Sequence, residues 1–470
     1  MQPRSAVLIA LGALLPLAAC APDLGKAPAP RSAASFAARR SLPDENGAWP
    51  GDGWWKRYND PQLDALIEEG LAGSPDIATA AARLARAEGL ARAAGASTKP
   101  SLSGSGSVTG IKQVTSSGLP QEFSLSGWPN IESTSLSAGF DLDLWGKNHA
   151  TLRAALQDRD AARVEAAQAR ITLAAGIAQA YADLARLYAE RDTADQALRI
   201  QMDTAGLVTD RVRNGLDTEG QRRQASALVP AARADLAQID EQIAIARNQL
   251  AALMGAGPDR GLTIERPKLA GLAPLALPSS AGIDLVGRRP DIVAAKARVE
   301  AAAERIKAAK AAYYPDIKLS ALLGFQAFNI PNLVSGNLVY ATAGPAISLP
   351  IYDGGKREGD YRVSRADYDA AVADYDRALI QALQEVANAV ASRNALSAQA
   401  REVRASLTDS EEAFRIARLR YKGGLSTYLD VLTTEQALIV ARRRDADLSA
   451  RAFTLDVALV RALGGGFAGA

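Results

Sequence analysis

Apolar residues recur along this chain at two periods, and stretches of each alternate. Leu173, Ile177, Tyr181, Leu184 and Tyr188 follow one another at steps of four and three, which lines one helix face. Leu379, Leu383, Val386 and Val390 do the same. The run from Lys147 to Asn214 holds no Pro and only scattered Gly, so it predicts a helix of roughly 65 residues, about 100 Å at ~1.5 Å per residue. Return helices are predicted over Glu219 to Met254 and Tyr428 to Leu463. Elsewhere the period is two. Leu136, Ala138, Phe140, Leu142 and Leu144 alternate with Ser137, Gly139, Asp141 and Asp143; Ile317, Leu319, Ala321 and Leu323 form a second such run, and Ile347, Leu349 and Ile351 a third. A fourth strand, Ser/Gly-rich, is expected near Ser101 to Ile111. One apolar and one polar face is the strand signature.

The two patterns occur twice. Pro75-Asp76-Ile77 opens a helix that ends before Pro100, and Pro290-Asp291-Ile292 opens another that ends before Pro315. Pro suits a first helical position, where its missing N–H costs nothing, and stops a helix at the other end. Each copy then carries two strands, with a loop around Gln113 to Asn130 in the first. The hairpins close on matching phrases, Leu142-Asp143-Leu144-Trp145-Gly146-Lys147 and Leu349-Pro350-Ile351-Tyr352-Asp353-Gly354-Gly355-Lys356. From those lysines onward the copies stay in constant register through Gly215 and Gly424 to Gly255 and Gly464. Paired long helices require that constancy, because one extra residue turns everything after it by about 100°. Thr218 with Gln221, and Thr427 with Asp430, stand three apart at the return-helix starts, the spacing of a capping box.

The first residues change the picture. Arg4 precedes an apolar run, Ala6 to Leu17, too short to span a bilayer as a helix and suited to an export signal. It ends at Leu17-Ala18-Ala19-Cys20, which resembles a bacterial lipobox and implies cleavage before Cys20 and covalent lipid on it, the only Cys of the chain. Ala21, where Asp resembles an inner-membrane retention signal, favours the outer membrane. Residues 21 to about 55 are rich in Pro, Ala and Ser and read as an extended tether. No later stretch suits a transmembrane helix, so any membrane passage falls to the strands. Four strands cannot close a barrel, and open edges cannot face lipid. Two chains together supply eight strands, and three supply twelve.

With these features in order, the chain resembles the TolC-like outer-membrane factor family, in its lipoprotein branch associated with resistance-nodulation-division pumps. The resemblance covers nearly all of the mature chain. It rests on Trp54-Trp55 followed by Asp60-Pro61 and Leu63, on the paired Pro-Asp-Ile helices, on Asp141 to Lys147, and on Tyr421 to Leu432. It implies an α+β membrane protein: a homotrimer with a shared twelve-stranded β-barrel, four strands per chain, and a long antiparallel α-helical barrel. It further implies a periplasmic adaptor and an inner-membrane transporter as partners, and passive export of small molecules through a lipid-anchored outer-membrane duct. Docking of the adaptor is expected at Asn214, Gly215 and Leu216 and at Gly423, Gly424 and Leu425. A pore constriction is expected from Tyr421 and Asp430; the family's Arg two residues after the glycine is Ser426 here, and its second Asp is Thr433.

The implied organisation is a signal peptide (1–19), a lipidated tether (20–55), a first repeat (56–270), a second repeat (271–464) and a flexible tail (465–470). Other readings stay open: the outer-membrane exit of type I protein secretion, and a lipid-tethered periplasmic scaffold without a pore. Lys plus Arg number 54 against 52 Asp plus Glu, so nothing pulls the chain toward nucleic acid. His149 is the only His, and with Cys20 assigned to lipid no zinc cluster or nucleophilic triad can be assembled. No cofactor beyond that lipid, no metal and no enzymatic activity is expected. Gly146-Lys147 mimics the end of a phosphate loop, yet six residues rather than four separate Gly139 from Gly146, and Asn148 replaces the required Ser or Thr.

Overall fold

The computed structural model describes residues 21–468 apart from 39, 44, 113–127, 129, 269–274, 279–280 and 329–338. Cys20, the export signal and most of the loop at 113–130 lie outside the described residues. After two short 3-10 turns (Ala33–Ser35, Trp54–Tyr58) come α1 (Pro61–Gly73), α2 (Pro75–Ala96), β1 (Ser101–Gly110), β2 (Asn130–Asp141), α3 (Lys147–Arg213), α4 (Glu219–Leu253), α5 (Pro258–Leu262), α6 (Ala281–Arg288), α7 (Pro290–Ala311), β3 (Asp316–Phe328), β4 (Val339–Ser348), α8 (Lys356–Lys422) and α9 (Tyr428–Ala462). The duplication is exact in helix length: 22 residues in α2 and α7, 67 in α3 and α8, 35 in α4 and α9.

Two compact units emerge, and each takes pieces from both repeats. One comprises Met1–Pro30, Leu84–Ala162 and Ala295–Tyr375; the other comprises Arg31–Arg83, Arg163–Ala294 and Asp376–Ala470. The first contains the sheet, whose four antiparallel strands lie in the order β1-β2-β3-β4. Its strands differ from expectation at their ends. Leu142 and Leu144 leave β2, and Leu349 and Ile351 leave β4, which instead begins upstream at Val339. The reason is local. Asp143 adopts a positive φ and turns its carboxylate onto the N–H groups of Asn148 and His149, at 2.8 and 2.9 Å, which starts α3 and takes the chain out of the sheet. His149 is an exposed part of the same cap, its ring 2.5 Å from Asp143. Gly146, with φ 71°, belongs to that turn rather than to a phosphate loop.

The second unit holds the main core. Leu63, Leu66 and Ile67 of α1 pack with Trp54, Trp55 and Tyr58 against Ile177, Tyr181 and Leu184 of α3, Leu250 of α4, and Phe453 and Val460 of α9. Asp60 caps α1 by accepting from the N–H of Gln62, and its other oxygen accepts from Tyr181 Oη at 2.7 Å, which ties the cap to α3. Burial, followed by the neighbouring Asp456 charge, raises the Tyr58 pKa, so its hydroxyl stays a donor to that carboxylate at 2.8 Å.

Parts of the expected tether and of the chain's last residues are packed. Within residues 20–55, Leu42 is buried, Glu45 pairs with Arg393, and Gly47 bridges Pro278. At the far end Gly464 and Gly465 are buried, not frayed. A Cβ on Gly464 would overlap the carbonyl of Arg288, and one on Gly465 would overlap Ile171.

Candidate membrane face and helix-turn tip

The register sorts the sheet into two chemically distinct faces. One carries five apolar rungs across β3 and β4: Ile317↔Ile347, Leu319↔Pro345, Ala321↔Ala343, Leu323↔Ala341 and Phe325↔Val339. On β2 the rungs at Leu319, Ala321 and Leu323 continue as Phe140, Ala138 and Leu136, and on β1 the last two end at Leu102 and Gly104. Most of this face has no cover: Leu102 is 69% exposed, and Leu136, Leu319, Leu323 and Val339 are exposed as well, whereas at the end beyond Phe325 Glu132 and Ala327 on the same face are buried. An uncovered apolar area spanning a whole sheet is not a normal water-facing surface.

Across β1 and β2 the opposite face is built from hydroxyls. Ser103, Ser105 and Ser107 of β1 stand against Ser137, Ser135 and Ser133 of β2, with oxygens 2.8, 2.9 and 2.8 Å apart. Both outer strands are open. Every residue of β1 is exposed, and it has no Pro or Lys to discourage pairing; β4 carries Pro345, a residue confined to edges. Among the described residues no helix is long and apolar enough to cross a membrane.

In the second unit the predicted docking residues form two turns. Gly215 (φ 72°) and Gly424 (φ 73°) adopt the left-handed conformation. In each turn the next residue closes a six-residue ring, Leu216 N–H to Arg211 O at 2.9 Å and Leu425 N–H to Arg420 O at 2.8 Å. This is the Schellman ending, and Gly supplies the backbone geometry without a Cβ penalty. Asn214 donates from Nδ2 to Asp210 O at 2.8 Å, and Gly423 N–H reaches Leu419 O at 3.0 Å. Leu216 and Leu425 point outward, 63% and 72% exposed. Both capping boxes form: Thr218 N–H donates to Gln221 Oε1 at 2.7 Å and Thr427 N–H to Asp430 Oδ2 at 2.9 Å. Those bonds from Thr427 hold the exposed Asp430 carboxyl below its ordinary pKa.

Tyr421 departs from expectation. It was placed at a pore constriction, yet its ring has no exposed surface, because it packs with Val208, Phe414, Tyr428 and Val431 between the helices. Its hydroxyl donates to Asp217, its carbonyl accepts from Arg211 Nη1 at 2.9 Å, and Arg211 Nε donates to Asp217 at 2.8 Å. The Arg211 guanidinium also lies 4.5 Å from the centre of the Tyr421 ring. The result is a clasp in which the first turn grips the second. The Asp217 hydrogen bond raises the Arg211 pKa, while burial and Asp217 raise that of Tyr421, so the guanidinium stays charged and the phenol neutral.

Next to the clasp, Glu435 of α9 is buried and accepts from Thr204 Oγ1 of α3 at 2.8 Å. Burial raises its carboxyl pKa despite Thr204 and Arg418. Sequence reasoning missed Arg211, Asp217 and Glu435. Asp217, lying between a turn glycine and a capping Thr, is the only one with a local signal.

Comparison with known proteins agrees with this geometry. The family described as outer membrane efflux protein matches residues 66–256 and 284–465. The fusaric acid resistance protein FusA of Burkholderia cepacia is 36% identical over 322 residues, covering 67% of this chain and 59% of that protein. The pyoverdine export outer membrane protein OpmQ of Pseudomonas putida is 28% identical over 99% of this chain and 98% of its own length. Among solved structures, the outer membrane protein VceC of Vibrio cholerae superposes with a TM-score of 0.84 at 42% identity, over 89% of this chain and 100% of that one. The chain belongs to the outer membrane efflux protein family and is an efflux component of the outer membrane.

Proposed function

We propose that three copies of this chain share one twelve-stranded barrel in the outer membrane and serve as the exit duct of a tripartite pump. The observation that carries this reading is the sheet, with five exposed apolar rungs on one face, paired serines of β1 and β2 on the other, and two open edges. A bilayer accepts β-structure only when every backbone group is paired, so four strands with free edges need further copies to close. A pore-free scaffold has no use for such a sheet. Fusaric acid and pyoverdine, named for two relatives, are small molecules, which supports passive export of small solutes here.

In this reading Cys20 carries the lipid, a periplasmic adaptor meets Leu216 and Leu425, and an inner-membrane transporter selects the cargo. Asp430, repeated around the axis, forms a ring of negative charge that favours cations at the constriction. Tyr421 acts behind that ring by holding the two turns together.

Light scattering on the detergent-solubilised protein, with detergent mass subtracted, tests the assembly. A mass of three chains is expected; a monomer that stays soluble without detergent once Cys20 is removed overturns it. Leu216→Asp and Leu425→Asp are expected to abolish drug resistance while leaving the trimer folded, and full resistance in both removes the docking assignment.

A further inference from the structure

Two carboxyl contacts cross from α3 to α9, and neither joins opposite charges. Glu435 of α9 is 1% exposed and accepts from Thr204 Oγ1 of α3 at 2.8 Å. Farther from the turns, the Glu190 carboxyl of α3 hydrogen-bonds to the Asp447 carboxyl of α9. The two helices run in opposite directions, so 14 residues back along α3 and 12 forward along α9 lead from the first contact to the second. Both therefore lie on one seam, about 18 Å apart at ~1.5 Å per residue.

Each contact calls for a proton. An ionised carboxylate only accepts, so two of them cannot hydrogen-bond to each other, and one of Glu190 and Asp447 must carry a hydrogen. Glu435 has the same need because of its surroundings. Arg418 of α8 faces it, but that guanidinium is 45% exposed and lies 3.5 Å from Asp203. Tyr428, on the same face of α9, buries a hydroxyl without a partner, and Gln201, one turn from Thr204 on α3, buries an acceptor oxygen without one. α4 brings Ala225 to this cluster. A buried anion with one neutral donor is costly, whereas the neutral acid adds an O–H to a region that holds spare acceptors. Burial raises the Glu435 carboxyl pKa, and it raises that of Glu190, where the Arg186 ion pair on the same helix opposes the shift and Asp447 adds to it.

The seam lies between the halves that the clasp joins, since α3 leads into the first turn and α9 leaves the second. Parting the turns parts the seam from the Glu435 end. Carboxyls freed into water regain their ordinary acidity, so opening releases protons.

We infer that the α3–α9 seam is a proton-sensitive lock on the tip: protons on Glu435 and at the Glu190–Asp447 contact hold the two helix pairs together, and their loss as pH rises lets the pairs part. This rests on the proposed duct. The other tip groups give no such response: Asp430 and Arg211 stay charged and Tyr421 stays neutral. Each carboxyl that sheds a proton on opening raises the open-to-closed ratio by up to about tenfold per pH unit, and two by up to about 100-fold per chain.

The test uses the full chain in planar bilayers from about pH 5 to about pH 8, beside Glu435→Gln and the double variant Glu435→Gln with Glu190→Gln. Gln keeps an acceptor for Thr204 and supplies a hydrogen that pH does not remove. An open frequency that rises with pH in the parent, less steeply in the single variant and not at all in the double variant, is expected. An equal rise in all three overturns the lock. Infrared difference spectra of the detergent-solubilised protein read the proton without a pore. A protonated-carboxyl band at about pH 6 that fades as pH rises and is weaker in Glu435→Gln is expected, because exposed carboxyls are already charged there. Identical spectra for parent and Glu435→Gln overturn the proton on Glu435 even where channels open. No conductance in any variant removes the duct, and with it the gating role, while the infrared titration still decides the proton.

Discussion

The two faces of β3 make a graded, one-residue test of how this protein meets a membrane. Ala321 lies on the middle apolar rung, between Ala138 and Ala343, while Ile317 and Phe325 lie on the outermost rungs. Arg on the lipid face of a barrel costs ~2–4 kcal/mol at the bilayer midplane and ~0–1 kcal/mol near the boundaries. Ala321→Arg, present three times in the proposed trimer, therefore costs about 6–12 kcal/mol, comparable to the whole stability of a typical domain. Ile317→Arg and Phe325→Arg cost about 3 kcal/mol per trimer at most by the same scale. Ser320→Arg is the control. It faces the other way, its neighbours Gly139 and Gly344 leave room for a long side chain, and the hydroxyl it removes makes only a 3.4 Å contact to Gly344 O. The assay is the amount of trimer in the outer-membrane fraction, together with the temperature at which the purified trimer dissociates. Ala321→Arg is expected to leave no trimer, the two edge variants a weakened trimer, and Ser320→Arg a normal one. Equal damage at 320 and 321, or a flat profile across 317, 321 and 325, refutes the assignment of the faces.

Three further outcomes follow from the second unit. Asp217→Ala removes the shared acceptor of Arg211 and Tyr421, two bonds worth ~1.5–3 kcal/mol each, and with water admitted at the turn a net loss of about 3 kcal/mol is expected. That shifts a closed tip toward opening roughly 100-fold, and bilayer recordings with an unchanged open frequency refute the clasp. The folded-state pKa of Glu435 is raised, so the folded state binds more protons than the unfolded one above the ordinary carboxyl value of 4.5, and stability falls as pH rises from there through the raised value. Glu435→Gln keeps the Thr204 contact and is expected to flatten that part of the thermal-midpoint profile against pH; an unaltered slope contradicts the burial argument. Gly464→Ala sets a Cβ on the carbonyl of Arg288 at a φ of 94°, and differential scanning calorimetry is expected to show a loss of ~2 kcal/mol or more. A midpoint equal to that of the parent chain means the tail is loose after all.

Most of the scaffold was legible in the sequence because the duplication states each element twice. The Pro-Asp-Ile starts, the Gly215/Gly424 and Gly255/Gly464 endings and the unbroken register between them correspond to helices of matched length. Periodicity does not reveal where a strand stops. Leu142, Leu144, Leu349 and Ile351 keep alternating after the sheet has ended, because the turns that Asp143 and Asp353 make onto the first N–H groups of the following helices override the pattern. Nor does it tell a packed glycine from a loose one: Gly464-Gly465-Gly466 has the composition of a frayed end, and its close contacts exist only in three dimensions. Tyr421 was recognised on its motif, but a motif does not say that its ring packs between the helices and bonds to the neighbouring turn.

The clasp also shows where duplication stops being a guide. Counting along the constant register, Arg211 and Asp217 correspond to Arg420 and Ser426, and Val212 corresponds to Tyr421. Had both copies kept the acid, each turn could close on itself; Arg420 instead donates to the carbonyl of Leu425, at 3.4 Å. With the acid only in the first copy and the phenol only in the second, neither turn completes the bond set alone, and the shared carboxylate of Asp217 is satisfied only when the two turns are side by side. Loss of symmetry thus converts two equivalent helix ends into one interaction that depends on their separation. In the proposed duct, a tip that opens for cargo needs a contact of that kind, partly buried and worth a few kcal/mol, rather than two self-sufficient caps that register nothing when the helices part.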